Sequence, residues 1–380
     1  MIPDGLLHRR FRASSEFDLV SLERLTETER TAVADLLQRP DVYGVVKPRM
    51  ALQSVKVVDP ETALLLLALR EPGPLPHFAR MRLEDASSLY QLVLDSLLEI
   101  EIDGRFVSGP QAYAELSPLS ALVLDGTRLA ETSLRALRYG AALAIDDPAR
   151  LSARLYCYGR MPPTPRWQAT FGTPDALLGY RDTPASPTLR DRIRVAWSRS
   201  DEPGWVYCSR GANPGARKPS HKLYVSPAPG ATLEVLSGAV AALEDTAAHS
   251  FKFGRDVLGM LRPDKFVAYF AEHEALMQAA ERVRAALAGA PAHGVPFSSQ
   301  IGEAPLLSWG ADPPRTEHLV GWQERPSWRL WVTNRLAVAL LSARAAFAND
   351  VEKRAAYALD RLRLEGIDVK TWTPARHLFD

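Results

Sequence analysis

Apolar and polar positions divide the chain into stretches of two different periods. Leucines at spacings of three and four predict helices over roughly 83–100 and 128–145, and EHEALMQAAERVRAALAG predicts a strongly amphipathic one over 272–289 that ends at a glycine. TETERTAVADLLQRP reads as a capped helix, with Thr28 as the cap and Pro40 as the stop. The stretch from Ser327 becomes a helix that continues through EKRAAYALDRLRLEG to Gly366. Period-two text is concentrated elsewhere. DVYGVVKPRM and the residues up to Pro76 hold two or three short strands, and EIEIDGRFVSG is a hairpin turning at Asp103-Gly104. RLYCYG reads as a strand, IRVAWSRSDEPGWVYCSRG as a hairpin through DEPG, and a further short strand falls near 306–309.

The densest alternation runs from His221 to Phe270. HKLYV is a strand, ATLEVLSGAVAALED a helix, SFKFG a second strand and FVAYF a third. On the first strand Lys222, Tyr224 and Ser226 share one face, and His221, Leu223 and Val225 the other. Lys252 lies at the centre of the second strand between Phe251 and Phe253, with Arg255 just beyond. Arg262 and Lys265 lead into the third, which contains Tyr269. Cationic and phenolic groups this close together predict a site for a strongly anionic ligand, of which a phosphorylated peptide side chain fits best. A solvated face on an edge strand is the plain alternative for Lys222 and Tyr224. GANPGARKPS, with Arg217 and Lys218, is a loop that lacks any phosphate-binding fingerprint.

Composition narrows the choice. The net charge of +1 gives no global attraction to nucleic acid or membrane, so anion affinity must come from local clustering. The two cysteines, Cys157 and Cys208, make neither a disulfide framework nor a cysteine-rich zinc site, and both read as buried thiols. His249, His273, His293 and His318 show no zinc spacing, and no acidic cluster suggests another metal. The N-terminus lacks the order of a signal peptide, and the apolar run at 62–69 is too short to span a bilayer. The expectation is a cytoplasmic protein, bacterial by its Arg- and Ala-rich composition. The Pro-, Thr- and Gly-rich residues 161–191 read as a linker between an N-terminal α+β domain, 1–160, and a second domain, 192–380.

The order K-x-[HY]-x-S-x-A-P-G, helix, Lys between aromatics, basic loop, aromatic-ending strand and helix, over about 220–340, resembles the phosphothreonine lyases secreted by bacterial pathogens. It is closer still to HopA-type effector domains, which also occur as stand-alone lyases in the biosynthesis of class V lanthipeptides and thioviridamide-like peptides. The resemblance implies an α+β fold with a mixed, largely antiparallel sheet flanked by helices. It implies β-elimination of phosphate from phosphothreonine or phosphoserine, with no cofactor and no metal. In that family Lys252 matches the lysine base, and Lys222 the lysine that contacts phosphate or the developing enolate. Tyr224 stands where the family has its general-acid histidine, so either Tyr224 is the acid, or Lys222 takes over, or acid assistance is minor. Arg255, Arg262, Lys265 and a later arginine, Arg329 or Arg335, would clamp the phosphate. On a continuous helix Arg329 and Arg335 would diverge by about 120°. A lysine base must be neutral, well below the ordinary value near ~10.4. A bound phosphate opposes that, so the other cations and desolvation by Phe251 and Phe253 must outweigh it.

The implied partners are a phosphorylated, ribosomally made precursor peptide and a separate kinase, with neither nucleic acid nor membrane. Residues 1–160 are then the expected docking region for precursor or partner. The alternative reading is a non-catalytic phosphopeptide-binding or effector-type interaction protein.

Overall fold

A Thr–Glu capping box opens the helix Glu27–Ala32. Glu29 N–H donates to Thr26 Oγ1 at 3.3 Å, and Thr26 N–H donates to Glu29 Oε2 at 2.9 Å. The cap is therefore Thr26, not Thr28, because only Thr26 has a glutamate three residues on. In this computed structural model residues 8–34, 37, 41–49, 55–82, 86–116, 126–211, 220–313 and 327–374 are described. Pro40, Arg217, Lys218 and His318 lie outside them.

The chain forms two compact units. The first draws on the described residues within Met1–Ala121 and Val338–Glu365. Its strands are β1 (Arg10–Ala13), β2 (Phe17–Ser21), β3 (Gly44–Pro48), β4 (Lys56–Val58), β5 (Gly73–Pro74), β6 (Leu98–Ile102) and β7 (Arg105–Val107). They make one sheet in the order β5-β1-β6-β7 and another in the order β2-β3-β4. The apolar run at 62–69 is not strand text. It lies mostly in the helix Pro60–Ala68, capped by Asp59, whose Oδ1 accepts from Thr62 N–H at 2.6 Å. The helix expected over 83–100 is Ala86–Leu94, and Ser96, at φ 57°, ends it before β6 begins. Asp103 (φ 50°) and Gly104 (φ 75°) make the tight β6–β7 turn with both central residues left-handed.

Asp95 ties this unit together. Its carboxylate is buried, 2.7 Å from Lys56 Nζ, and is also paired with Arg361 of the helix Val351–Leu364. Removing one partner from a buried network strands the others. Asp95→Ala should cost about 3 kcal/mol by chemical denaturation. Arg199→Ala, which breaks the more exposed Arg199–Asp201 pair, should cost under about 1 kcal/mol. Equal costs would rule out a structural role for Asp95.

The second unit draws on Leu122–Pro313, Pro326–Ala337 and Gly366–Asp380. The expected linker belongs to it. Residues 161–191 contain the helices Pro165–Phe171 and Pro174–Leu178 and the start of Leu189–Ala196. Thr164, Thr173 and Thr188 cap them, and Pro165 and Pro174 occupy first-turn positions. The Pro and Thr content thus marks helix starts, and Phe171, Leu177, Leu178 and Leu189 are fully buried in the core. The units part near 121, not 160. RLYCYG is the end of the helix Pro148–Tyr156, which leaves Cys157 exposed at its C-cap, whereas Cys208 is buried in a strand as expected.

A seven-stranded antiparallel sheet forms the second unit, in the order β13-β14-β10-β12-β11-β9-β8. Its strands are β8 (Ser198–Glu202), β9 (Trp205–Ser209), β10 (His221–Val225), β11 (Ser250–Gly254), β12 (Phe266–Phe270), β13 (Ser299–Ile301) and β14 (Leu307–Ala311). The α+β class and the largely antiparallel sheet of the sequence reading are what the structure has. The hairpin through DEPG is β8–β9, although IRVA before it is helical. Val206, Cys208, Leu223, Val225, Phe251, Phe253, Phe266, Ala268 and Phe270 line one face. That face packs on the helices of 165–196, Thr232–Leu243 and His273–Ala286. The helix from Trp328 ends at Ala343, and a new one starts at Val351 behind the Asp350 cap, so the expected continuous helix is broken.

Candidate active site

Alternation places the polar side chains of the central strands on the face opposite the core. Register aligns Lys222 with Tyr269, Tyr224 with Val267, Lys252 with Val267 and Tyr207, and Gly254 with Trp205. Phe251 and Phe253 therefore point away from Lys252 into the core and do not desolvate it. Trp205 and Tyr269 do. Lys252 Nζ lies 4.3 Å from the centre of the Trp205 ring and 5.9 Å from that of Tyr269. Lys222 Nζ lies 5.9 Å from the same Tyr269 ring. Arg262 lies 4.9 Å from the Trp205 ring. Cations and aromatic rings thus alternate across the face in the order Arg262, Trp205, Lys252, Tyr269, Lys222.

Gly254 makes this possible. A Cβ there would come within 2.3 Å of the Gly259 backbone, so only glycine lets the chain fold back over the strand end. The short helix Val257–Met260, capped by Asp256, completes the reversal and returns Arg262 to the face.

The lysines differ in their partners. Lys222 is paired with Asp312. Among the described residues Lys252 Nζ has no ion pair or hydrogen bond. Burial lowers its ammonium below the ordinary lysine value; Asp264 opposes the shift, Lys222 and Arg262 reinforce it, and Glu202 opposes it weakly. A desolvated amine flanked by fixed cations and free of carboxylate contact is suited to accept a proton.

Other expected site residues are placed differently. Tyr224 is 3% exposed and packs with Val267, Val295 and Tyr269, and burial raises its phenol well above the ordinary value. Lys265, expected to clamp phosphate, is 1% exposed. Its Nζ donates to Pro227 O at 2.6 Å and lies 3.2 Å from His293 Nδ1. Burial lowers Lys265 to about 7, and burial with Lys265 beside it lowers His293 to about 4. Arg255 lies past the end of β11, where its backbone N–H donates to Gly204 O in the β8–β9 turn at 3.1 Å. Arg329 is fully buried, and Arg335 stacks 3.7 Å from the Trp331 ring, on another side of the same helix. The site thus gathers Lys222, Lys252 and Arg262, with Tyr224 beneath them, and leaves Arg255, Lys265 and Arg335 elsewhere.

Four further residues shape the site. Trp205 is one strand away from Lys252, and the register of the β9–β11 pair is the signal that finds it. Asp312 holds Lys222. Asp264 and Tyr156 lie behind Arg262, with Tyr156 Oη donating to Asp264 Oδ2 at 2.9 Å. A single acid between Arg262 and Lys265 is the signal for Asp264, whereas Tyr156 comes from more than a hundred residues away with no local signal. Among the described residues no group of His, Cys, Asp and Glu could hold a metal ion, and no helix is long and apolar enough to cross a membrane.

No protein-family model matches the chain, and no curated protein does. Among solved structures it is similar to the effector protein from Pseudomonas syringae pv. tomato strain DC3000, at 14% identity and a TM-score of 0.40, over 66% of this chain and 99% of that one. It is similar to the phosphothreonine lyase SpvC, the effector protein from Salmonella, at 14% identity and a TM-score of 0.27, over 54% and 98%. It is also similar to the type III effector and phosphothreonine lyase OspF from Shigella flexneri, at 14% identity and a TM-score of 0.27, over 38% and 86%.

Proposed function

We propose that the chain is a lyase that eliminates phosphate from phosphothreonine or phosphoserine in a ribosomally made precursor peptide. The observation that carries this reading is Lys252: a desolvated amine without a carboxylate partner among the described residues, between two aromatic rings that themselves border Arg262 and Lys222. In the proposed step neutral Lys252 takes the α-proton. The Cα–H electrons form the Cα=Cβ bond, the Cβ–O bond breaks, and phosphate leaves with that electron pair. The product is a dehydroamino acid. Arg262 and Lys222 neutralise the charge that grows on phosphate and enolate.

In this reading a separate cytoplasmic kinase supplies the phosphorylated residue. The first unit docks precursor or partner, and β7, the last strand of its sheet, offers an edge for strand addition. Cutting at 160 does not test that docking, because it removes Tyr156 from behind the site.

The buried Tyr224 in place of the family's acid histidine favours one other reading, a phosphopeptide binder without turnover. Incubation with a phosphothreonine peptide separates the two. Elimination lowers the peptide mass by one phosphoric acid and creates an alkene that captures an added thiol. Binding with unchanged mass would dispose of the lyase.

A further inference from the structure

The carboxylate behind the basic face has no role in the step just described. Asp264 is 4% exposed, and a carboxylate so deeply buried needs several donors. Arg262 provides two, Nε to Oδ1 at 2.9 Å and Nη2 to Oδ2 at 3.0 Å. Tyr156 Oη provides another at 2.9 Å. Arg329 Nη1 lies 3.0 Å from Oδ2, while its Nε and Nη2 donate to Pro296 O and Tyr156 O, both at 2.9 Å. Burial works against the charge, yet Arg329, Arg262 and the hydrogen bonds of Arg262 and Tyr156 hold this carboxyl well below the usual carboxylate range. The partners come from three segments: the helix Pro148–Tyr156, the loop before β12 and the helix from Trp328.

Arg262 is the member of this group that reaches the sheet face. Its guanidinium lies 4.9 Å from the Trp205 ring centre, and that ring also carries Lys252 Nζ at 4.3 Å. Without the carboxylate, two arginines would repel each other beneath the site, and Arg262 would lose its two-point anchor.

We propose that Asp264 is the positioning residue of this site: held by Arg329 and Tyr156, it fixes the Arg262 guanidinium against Trp205 and thereby fixes the cation and the aromatic wall beside Lys252. The lyase reading enters only in what Arg262 meets, the substrate phosphate.

The charged and titratable groups facing Lys252 are Lys222, Tyr269, Tyr207, Glu202, Arg262 and Asp264. Asp264 favours the ammonium form and Arg262 disfavours it. Asp264→Asn should therefore let Lys252 lose its proton at lower pH, and Arg262→Gln should delay that loss to higher pH. Labelling of Lys252 by a small acylating reagent across pH, read by peptide mass spectrometry on the full chain, gives the midpoint. Steady-state elimination on a phosphothreonine peptide gives KM, which should rise roughly tenfold or more in both variants. Tyr156→Phe changes no charge, so it should raise KM several-fold and leave the midpoint in place.

Opposite midpoint shifts with raised KM support the assignment. Midpoints that stay together in folded variants overturn it, as does an unchanged KM for Tyr156→Phe. If Asp264→Asn does not fold, Arg262→Gln and Tyr156→Phe decide alone. A wild-type chain that eliminates nothing refutes the lyase reading, while the labelling midpoints still test Asp264.

Discussion

Lys252→Ala abolishes elimination while leaving phosphopeptide binding within a few-fold of wild type. Removing a general base typically costs 10²–10⁴-fold, and Lys252 makes no hydrogen bond or ion pair among the described residues whose loss would disturb the fold. Lys252→Arg fails as completely, because a guanidinium does not give up its proton at working pH. The pH dependence has a defined sign. In the proposed step Lys252 acts as the neutral amine, so activity should rise with pH as its proton leaves. Burial has lowered its folded value, and the rise falls below the ordinary lysine range. A bound phosphate dianion favours the ammonium. The rise in kcat, which reports the complex, should therefore come at higher pH than the rise in kcat/KM, which reports the free enzyme. Coincident limbs, or an active Lys252→Arg, would remove Lys252 from the base role.

Much of this site is written locally in the chain. The alternation in HKLYV puts Lys222 and Tyr224 on one face of their strand, and that in SFKFG sets Lys252 opposite its two phenylalanines, before any contact is known. The same alternation sends Phe251 and Phe253 to the other face, so the aromatic walls of Lys252 had to come from neighbouring strands. Which strands neighbour β11 depends on pairing across the chain, as with Trp205, and sequence period carries no such information. Burial is similarly non-local. Lys265 and Arg262 are alike in the text RPDK, yet one is enclosed by Pro227 and His293 and the other pairs with Asp264 at the face. Residues 161–191 show a different failure. Pro and Thr there suggest a linker by composition, but Thr followed directly by Pro at 164–165 and 173–174 is cap followed by first turn. Position within the pattern, not abundance, separates helix starts from linkers.

Lys222→Met lowers kcat by about 10²–10³-fold, comparable with the loss of a preorganised charge stabiliser, whereas Tyr224→Phe stays within about tenfold of wild type. Both side chains lie on the reacting face of β10, and the structure separates their chemistry. Tyr224 is enclosed by Val267, Val295 and Tyr269, and burial raises its phenol, which makes it a reluctant proton donor. Lys222 is fixed by Asp312 and borders the same Tyr269 ring that Lys252 borders from the other side. A phosphate monoester has its second pKa near ~6, so it binds as the dianion, and breaking the Cβ–O bond puts a third negative charge on the departing phosphate. Neutralising the charge on the departing oxygen is then the larger requirement, and Lys222 meets it without transferring a proton. The two variants are compared by single-turnover elimination on one phosphothreonine peptide. If Tyr224→Phe proves the costlier, the buried hydroxyl must reach the leaving oxygen, and the face must open around Val295 when substrate binds.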